Sequence, residues 1–333
     1  MRIGKIPFTL YSMGFPLVFL VLAGSFMLPI SQLAYAHTFS TSESAEFLSL
    51  TDQIQAEFAL VTMNLKNNNA TLAQAHVEKA SSLLDNNTLD EIREVNTRIA
   101  DSLETGLDQL EGNVTPLASA SPGQMPQDTI PTINDTVTSL NDTLAEAVTA
   151  RIESEQLNNA TTWAMALADL VNVVLSDYGN ATGASFDLTD MSNLAGLNAT
   201  SSMSNMTSTM TTIVDTAAYQ TAQYLANNTV LQLFNETLKP LTMSSSGTSS
   251  NNNSNATTMT QEGHSASPAA GGNMTSDIDK LQAGLLQLKD DINSKATPNE
   301  VMMTVHVNVH PLITQIYGLT LEREEGGGGG GGH

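Results

Sequence analysis

Two histidines, His306 and His310, stand four residues apart, so a helix there puts both imidazoles on one face. Met302 lies one turn earlier on that stripe, with Met303 beside it. Imidazole nitrogen and thioether sulfur together suit a soft or borderline metal, copper first and zinc second. A histidine pair at this spacing is a recurrent ligand set, but one helix supplies too few ligands and another element must add to it. Val305, Val307 and Val309 surround the histidines, so the same pattern also fits two rings at a packing seam, bonded to carbonyls.

Three further observations bear on the same chemistry. His76 is flanked at helical spacing by Leu72, Ala80 and Leu83, and so borders a buried stripe. It joins a metal site only if its helix packs against the one carrying His306 and His310. His37 becomes the first residue if a leader is removed after Ala36. Its amine, with an unperturbed pKa of about 8, and its ring could then hold one copper ion. That start resembles the copper brace of secreted copper monooxygenases, although those domains are β-sandwiches and no such pattern is seen here. Methionines gather loosely at Met191, Met203, Met206 and Met210, then at Met243, Met259 and Met274, near His264.

The first residues set the compartment. Arg2 and Lys5 precede an apolar run from Phe15 to Leu28, and Ala34-Tyr35-Ala36 follows as a small-residue cleavage site. This is the layout of a signal peptide over residues 1–36, and an extracellular or cell-surface location follows. Ile6 to Ile30 is long enough to span a bilayer, but Pro7, Pro16 and Pro29 interrupt it. Attachment to a membrane is thus expected only through an uncleaved leader.

Composition excludes several functions. There is no cysteine, which removes disulfides, thiolate catalysis and zinc–thiolate sites. The net charge of −22 repels nucleic acid and draws cations. Asn-x-Ser/Thr acceptors occur at Asn69, Asn86, Asn113, Asn134, Asn141, Asn159, Asn180, Asn198, Asn205, Asn227, Asn235, Asn252, Asn255 and Asn273, a density that suggests a glycoprotein. No phosphate loop, nucleophile elbow or H-E-x-x-H motif occurs. Glu153 and Glu155, beside Arg151, fit a solvated charged face, and a non-enzymatic protein is expected.

Apolar spacing of three and four dominates, which predicts an all-α fold. Helices are expected at about 42–66, 70–84, 89–110, 132–178, 212–238, 276–294 and 297–321. The fourth is either one helix of over forty residues or two broken at Asn158-Asn159. Pro240 should close the fifth, Thr297 and Glu300 should form a capping box for the last, and Pro311 should kink it. The resulting organisation is an N-terminal helical bundle over 37–111 and a Pro-rich linker over 112–131. A long helix and second-bundle helices over 132–240 carry a flexible insertion at 181–211. A low-complexity linker at 242–274 leads to a helical hairpin at 275–322 and a flexible tail at 323–333. One or two antiparallel bundles sharing a long central helix satisfy this pattern.

The stretch from His37 through Leu50 to Glu57, the run Asn67 to His76, the run Ala150 to Asn159 and the run Met302 to Pro311 together resemble secreted, Asn- and Met-rich helical proteins of ammonia-oxidising archaea. That resemblance implies an archaeal cell surface and a copper-rich physiology, and no particular reaction. The expected function is an exported helical-bundle protein binding a metal ion, copper preferred, for storage, buffering or delivery. The alternative is a glycosylated structural protein of the cell surface that contacts other surface proteins without metal.

Overall fold

The computed structural model describes residues 41–120, 128–155, 159–184, 211–246 and 274–318. All of them belong to the compact unit Thr38–His333. The leader, His37, and most of the two Ser/Thr/Asn/Met-rich segments lie outside the described residues. Among the described residues the fold is all-α, no strand occurs, and no helix is long and apolar enough to cross a membrane.

The helices are α1 (Thr41–Lys66), α2 (Ala70–Leu83), α3 (Asn86–Val95), α4 (Thr97–Ala118), α5 (Thr129–Glu155), α6 (Ala160–Thr182), α7 over 216–246, α8 (Met274–Asn293) and α9 over 298–317. The abundance of Asn and Asp has a local cause. Asn69, Asp85, Asn96, Asn159 and Asp215 each sit at an N-cap and accept a first-turn backbone N–H. Thr297 and Glu300 form the expected capping box, with Pro298 in the first turn.

Two boundaries differ from the sequence expectation. The helix expected over 89–110 is split at Asn96, whose extended backbone ends α3 and whose side chain caps α4. Of the two forms expected over 132–178, the broken one is found, with Asn159 extended and capping α6. The Pro-rich stretch is helical to Ala118, past Pro116. Gly112, the residue whose carbonyl loses its donor there, is exposed and can bond water instead.

Pro240 does not end α7, which continues through Lys239–Ser246. The turn just before it is π-helical, Leu233–Leu238. The same arrangement precedes Pro311, where Thr304–Val309 is π-helical and the helix resumes at His310–Tyr317. A proline lacks the N–H and crowds the carbonyl four residues back. A wider turn with i→i+5 bonds relieves both conflicts without breaking the helix.

Apolar side chains form two main clusters. One lies within α1 to α5, with Phe58, Leu65, Val77, Ile99, Leu103 and Leu144 among its buried members. The other lies within α6 to α9, with Leu170, Val174, Phe234, Leu285 and Val305, and takes in Ala56 of α1. Ala45, Leu48 and Ala166 join α1 to α6 in a small third cluster. The turn between α8 and α9 is pinned by hydroxyls. Tyr178 and Thr211 both donate to the Ala296 carbonyl, and Tyr219 donates to that of Ile292. Burial pushes the Tyr178 hydroxyl up to about 12.

Helix α8 meets the π turn of α9 at Gly284, where an added Cβ would lie 2.6 Å from the Asn308 carbonyl oxygen. That neighbour is backbone, so it cannot rotate away. Gly284→Ala is therefore expected to cost about 1–3 kcal/mol through overpacking, despite the better helix propensity of Ala. Thermal melts check this, and an unchanged or raised melting temperature would contradict the close approach.

Candidate functional site

His306 lies in the π turn of α9, and His310 opens the α-helical turn that follows it. Ring centroids of His306 and His310 are 5.4 Å apart with planes inclined at 59°. Both Nε2 atoms are buried and have no hydrogen-bond partner. Buried polar atoms are almost always bonded, so an orphan on each of two adjacent rings needs a reason. His310 also makes a backbone hydrogen bond with Ala168 of α6. A neutral imidazole with its proton on Nδ1 would present a lone pair on Nε2, the form that most metal-ligating histidines take.

Burial is the main influence on both rings and lowers both pKa values. For His310 the adjacent His306 ring adds to it, while the Ala168 bond opposes it, and the value falls to about 4. Both rings are thus neutral near pH 7 and ready to act as nitrogen ligands. Met302 is half-buried against the α6–α9 cluster, one turn before His306. A metal about 2.0 Å from each Nε2 stands roughly 3.1 Å from each ring centre. Ring centres 5.4 Å apart then admit an N–metal–N angle of about 120°. Among the described residues, no three His, Cys, Asp or Glu side chains come together in a set that could hold a metal. The pair therefore depends on Met302, water or a residue outside those described to complete its shell.

His76 is elsewhere. Helix α2 packs against α1, α4 and α7, and His76 is fully buried there. Its Nδ1 lies 2.6 Å from Oε2 of Glu57 and its Nε2 lies 2.9 Å from Oε1 of Gln220. Both ring nitrogens thus lie within hydrogen-bond reach of a side-chain oxygen. Glu57, also fully buried, accepts from the Thr221 hydroxyl at 2.9 Å. Its Oε1 lies 3.4 Å from the Lys79 ammonium, which bonds both carboxyl oxygens of Asp177 at 2.8 and 2.9 Å. Burial raises the Asp177 carboxyl, and the Lys79 charge works against that rise. Asn64 closes the network by donating to Gln220. Lys79 and Asp177 face a cleft of about 720 Å³ whose wall includes Asp215 and Asn180.

Sequence reasoning placed carboxylates on helix surfaces and missed Glu57. The available signal was its position inside the apolar stripe of α1, three residues after Ile54 and four before Val61. Arg151 differs too. It is buried with its guanidinium carbon 5.0 Å from the Phe47 ring centre, whereas Glu153 is exposed as expected. His37, Met191, Met203, Met206, Met210, Met259 and His264 lie outside the described residues, and Met243 and Met274 are exposed. No protein-family model, curated protein or solved structure matches this chain.

Proposed function

We propose that the protein is exported and binds a transition metal through Nε2 of His306 and Nε2 of His310, with Met302 beside them. Copper is the first choice and zinc the second, and the role is storage, buffering or delivery at a cell surface. The observation that carries this reading is the pair of buried, unpartnered imidazole nitrogens on α9, one from the π turn at His306 and one four residues on at His310. Leaving each orphaned costs about 1–3 kcal/mol, which a bound metal recovers. The two main apolar clusters support a view of the chain as two helical bundles joined through α1 and α6.

The test is a thermal melt with and without copper or zinc. A metal that binds only the folded state at a hundred times its Kd stabilises by about 2.7 kcal/mol. The wild type is expected to gain several degrees, and the variant carrying His306→Ala and His310→Ala is expected to gain none. Equal gains in both proteins would move the metal to other residues.

A second reading, a glycosylated surface protein without metal, is favoured by the exposure of Asn86, Asn180 and Asn235, each in an acceptor motif. Intact mass of protein from its native source separates the two, because glycans add discrete increments and the metal reading needs none.

A further inference from the structure

We infer that the His306–His310 site selects monovalent copper over divalent copper and zinc, with the Met302 thioether as third ligand. This rests on the metal reading above and deepens it. Every ligand at the site is neutral. Among the described residues, no Asp or Glu joins His306 and His310 in a set of three that could hold a metal. The buried Asp291 carboxylate of α8 is taken by the Thr304 hydroxyl at 2.6 Å, Glu300 by the capping box with Thr297, and residues 301–310 contain no Asp or Glu.

A cation drawn into such a place loses its hydration and gains no opposite charge. By the Born relation the cost rises with the square of the charge, so a divalent ion loses roughly four times what a monovalent ion of equal size does. Zinc also asks for three or four protein ligands, commonly with an anionic member, and this helix supplies two imidazoles and a thioether. Sodium and potassium are monovalent but hard, and imidazole nitrogen and thioether sulfur are poor ligands for them. Monovalent copper is soft, accepts low coordination numbers, and prefers imidazole and thioether donors. The ring spacing of 5.4 Å admits the wide N–metal–N angle of a three-coordinate ion.

The experiment titrates the full chain anaerobically with Cu(I) in a bicinchoninate-buffered, ascorbate-reduced series, and in parallel with Cu(II) and Zn(II). Comparison with the His306→Ala, His310→Ala double variant isolates the site from methionines elsewhere. The expected result is a histidine-dependent Cu(I) event at least about a hundred-fold tighter than either divalent ion. Met302→Leu is expected to weaken Cu(I) by about ten-fold while leaving the divalent affinities unchanged. A histidine-dependent site that holds Zn(II) or Cu(II) more tightly than Cu(I) overturns the selectivity and leaves the metal reading standing. No histidine-dependent binding of any of the three overturns both. Unchanged Cu(I) affinity in Met302→Leu strikes the thioether from the ligand set.

Discussion

Glu57→Ala is expected to destabilise the fold by about 3–5 kcal/mol, since it empties a buried site and leaves His76, Thr221 and Lys79 without a shared acceptor. Three groups lose a bond at once: the His76 ring at 2.6 Å, the Thr221 hydroxyl at 2.9 Å and the Lys79 ammonium at 3.4 Å. His76 is fully buried and cannot turn to water, and Lys79 keeps only Asp177. For a chain of this size the loss corresponds to a fall in melting temperature of roughly 10 °C. Glu57→Gln keeps the shape and removes the charge, so it should fall between wild type and Ala. Circular dichroism melts measure both. A change of less than about 2 °C for Ala would mean that the cluster is hydrated in solution and carries little of the stability.

The second large effect is in pH. The folded His310 ring titrates at about 4, against 6.5 for the ordinary side chain. Between those values the unfolded chain binds a proton that the folded chain refuses. Its contribution is therefore complete above pH 6.5 and is lost as pH falls through 4. The whole shift corresponds to about 3 kcal/mol, and partial exposure of the ring reduces this to about 2. Two carboxyls act in the opposite sense. Burial lifts Asp52 to about 7, and burial with the nearby Glu46 charge lifts Asp169 to about 6, both from 3.8. Their folded forms hold protons that the unfolded chain has released, so stability declines as pH rises from 3.8 to about 7. The two carboxyls together outweigh the single ring between pH 4 and 6, and one opposes one from about 6 to 6.5, so melting temperature followed from pH 4 to 8 should decline overall with a flat stretch near pH 6. His310→Leu should steepen the fall between pH 4 and 6.5, and Asp52→Asn should raise the alkaline side by about 1–2 kcal/mol. Acid profiles of wild type and His310→Leu that coincide would show that the ring is solvated.

The helical class could be read from the sequence because apolar residues repeat every three or four positions across most of the chain, and the periodicity of α1, α2 and α8 places them within a few residues. The capping box at Thr297 was legible because its two side chains are close in sequence. The break at Asn159 was legible only as one of two alternatives, and that at Asn96 was not legible at all. The apolar stripe runs through both without a fault, and only the side-chain bond to the next turn decides for a cap. Pro240 misled in a similar way, whereas Pro311 lies inside its helix as expected. Proline rules describe an α turn, and a π turn upstream removes the conflict they rest on. At the site, His306 and His310 were visible from spacing alone. Their orphaned nitrogens were not, since that depends on what α6 and α8 bring to the other side. Glu57 was invisible as a partner of His76 because the contact spans two helices, and Gln220 enters from a third.

Nitrogen NMR of the protein labelled with ¹⁵N in its histidine rings tests the central claim most directly. Cu(I) is diamagnetic, so each ring can be followed during an anaerobic titration. Nε2 of His306 and Nε2 of His310 should shift together and saturate at one metal per chain, while the signals of His76 stay in place. If the His306 and His310 signals stay fixed while His76 or other rings respond, or if no ring responds, then the pair is a packing feature of α9 and not a metal site.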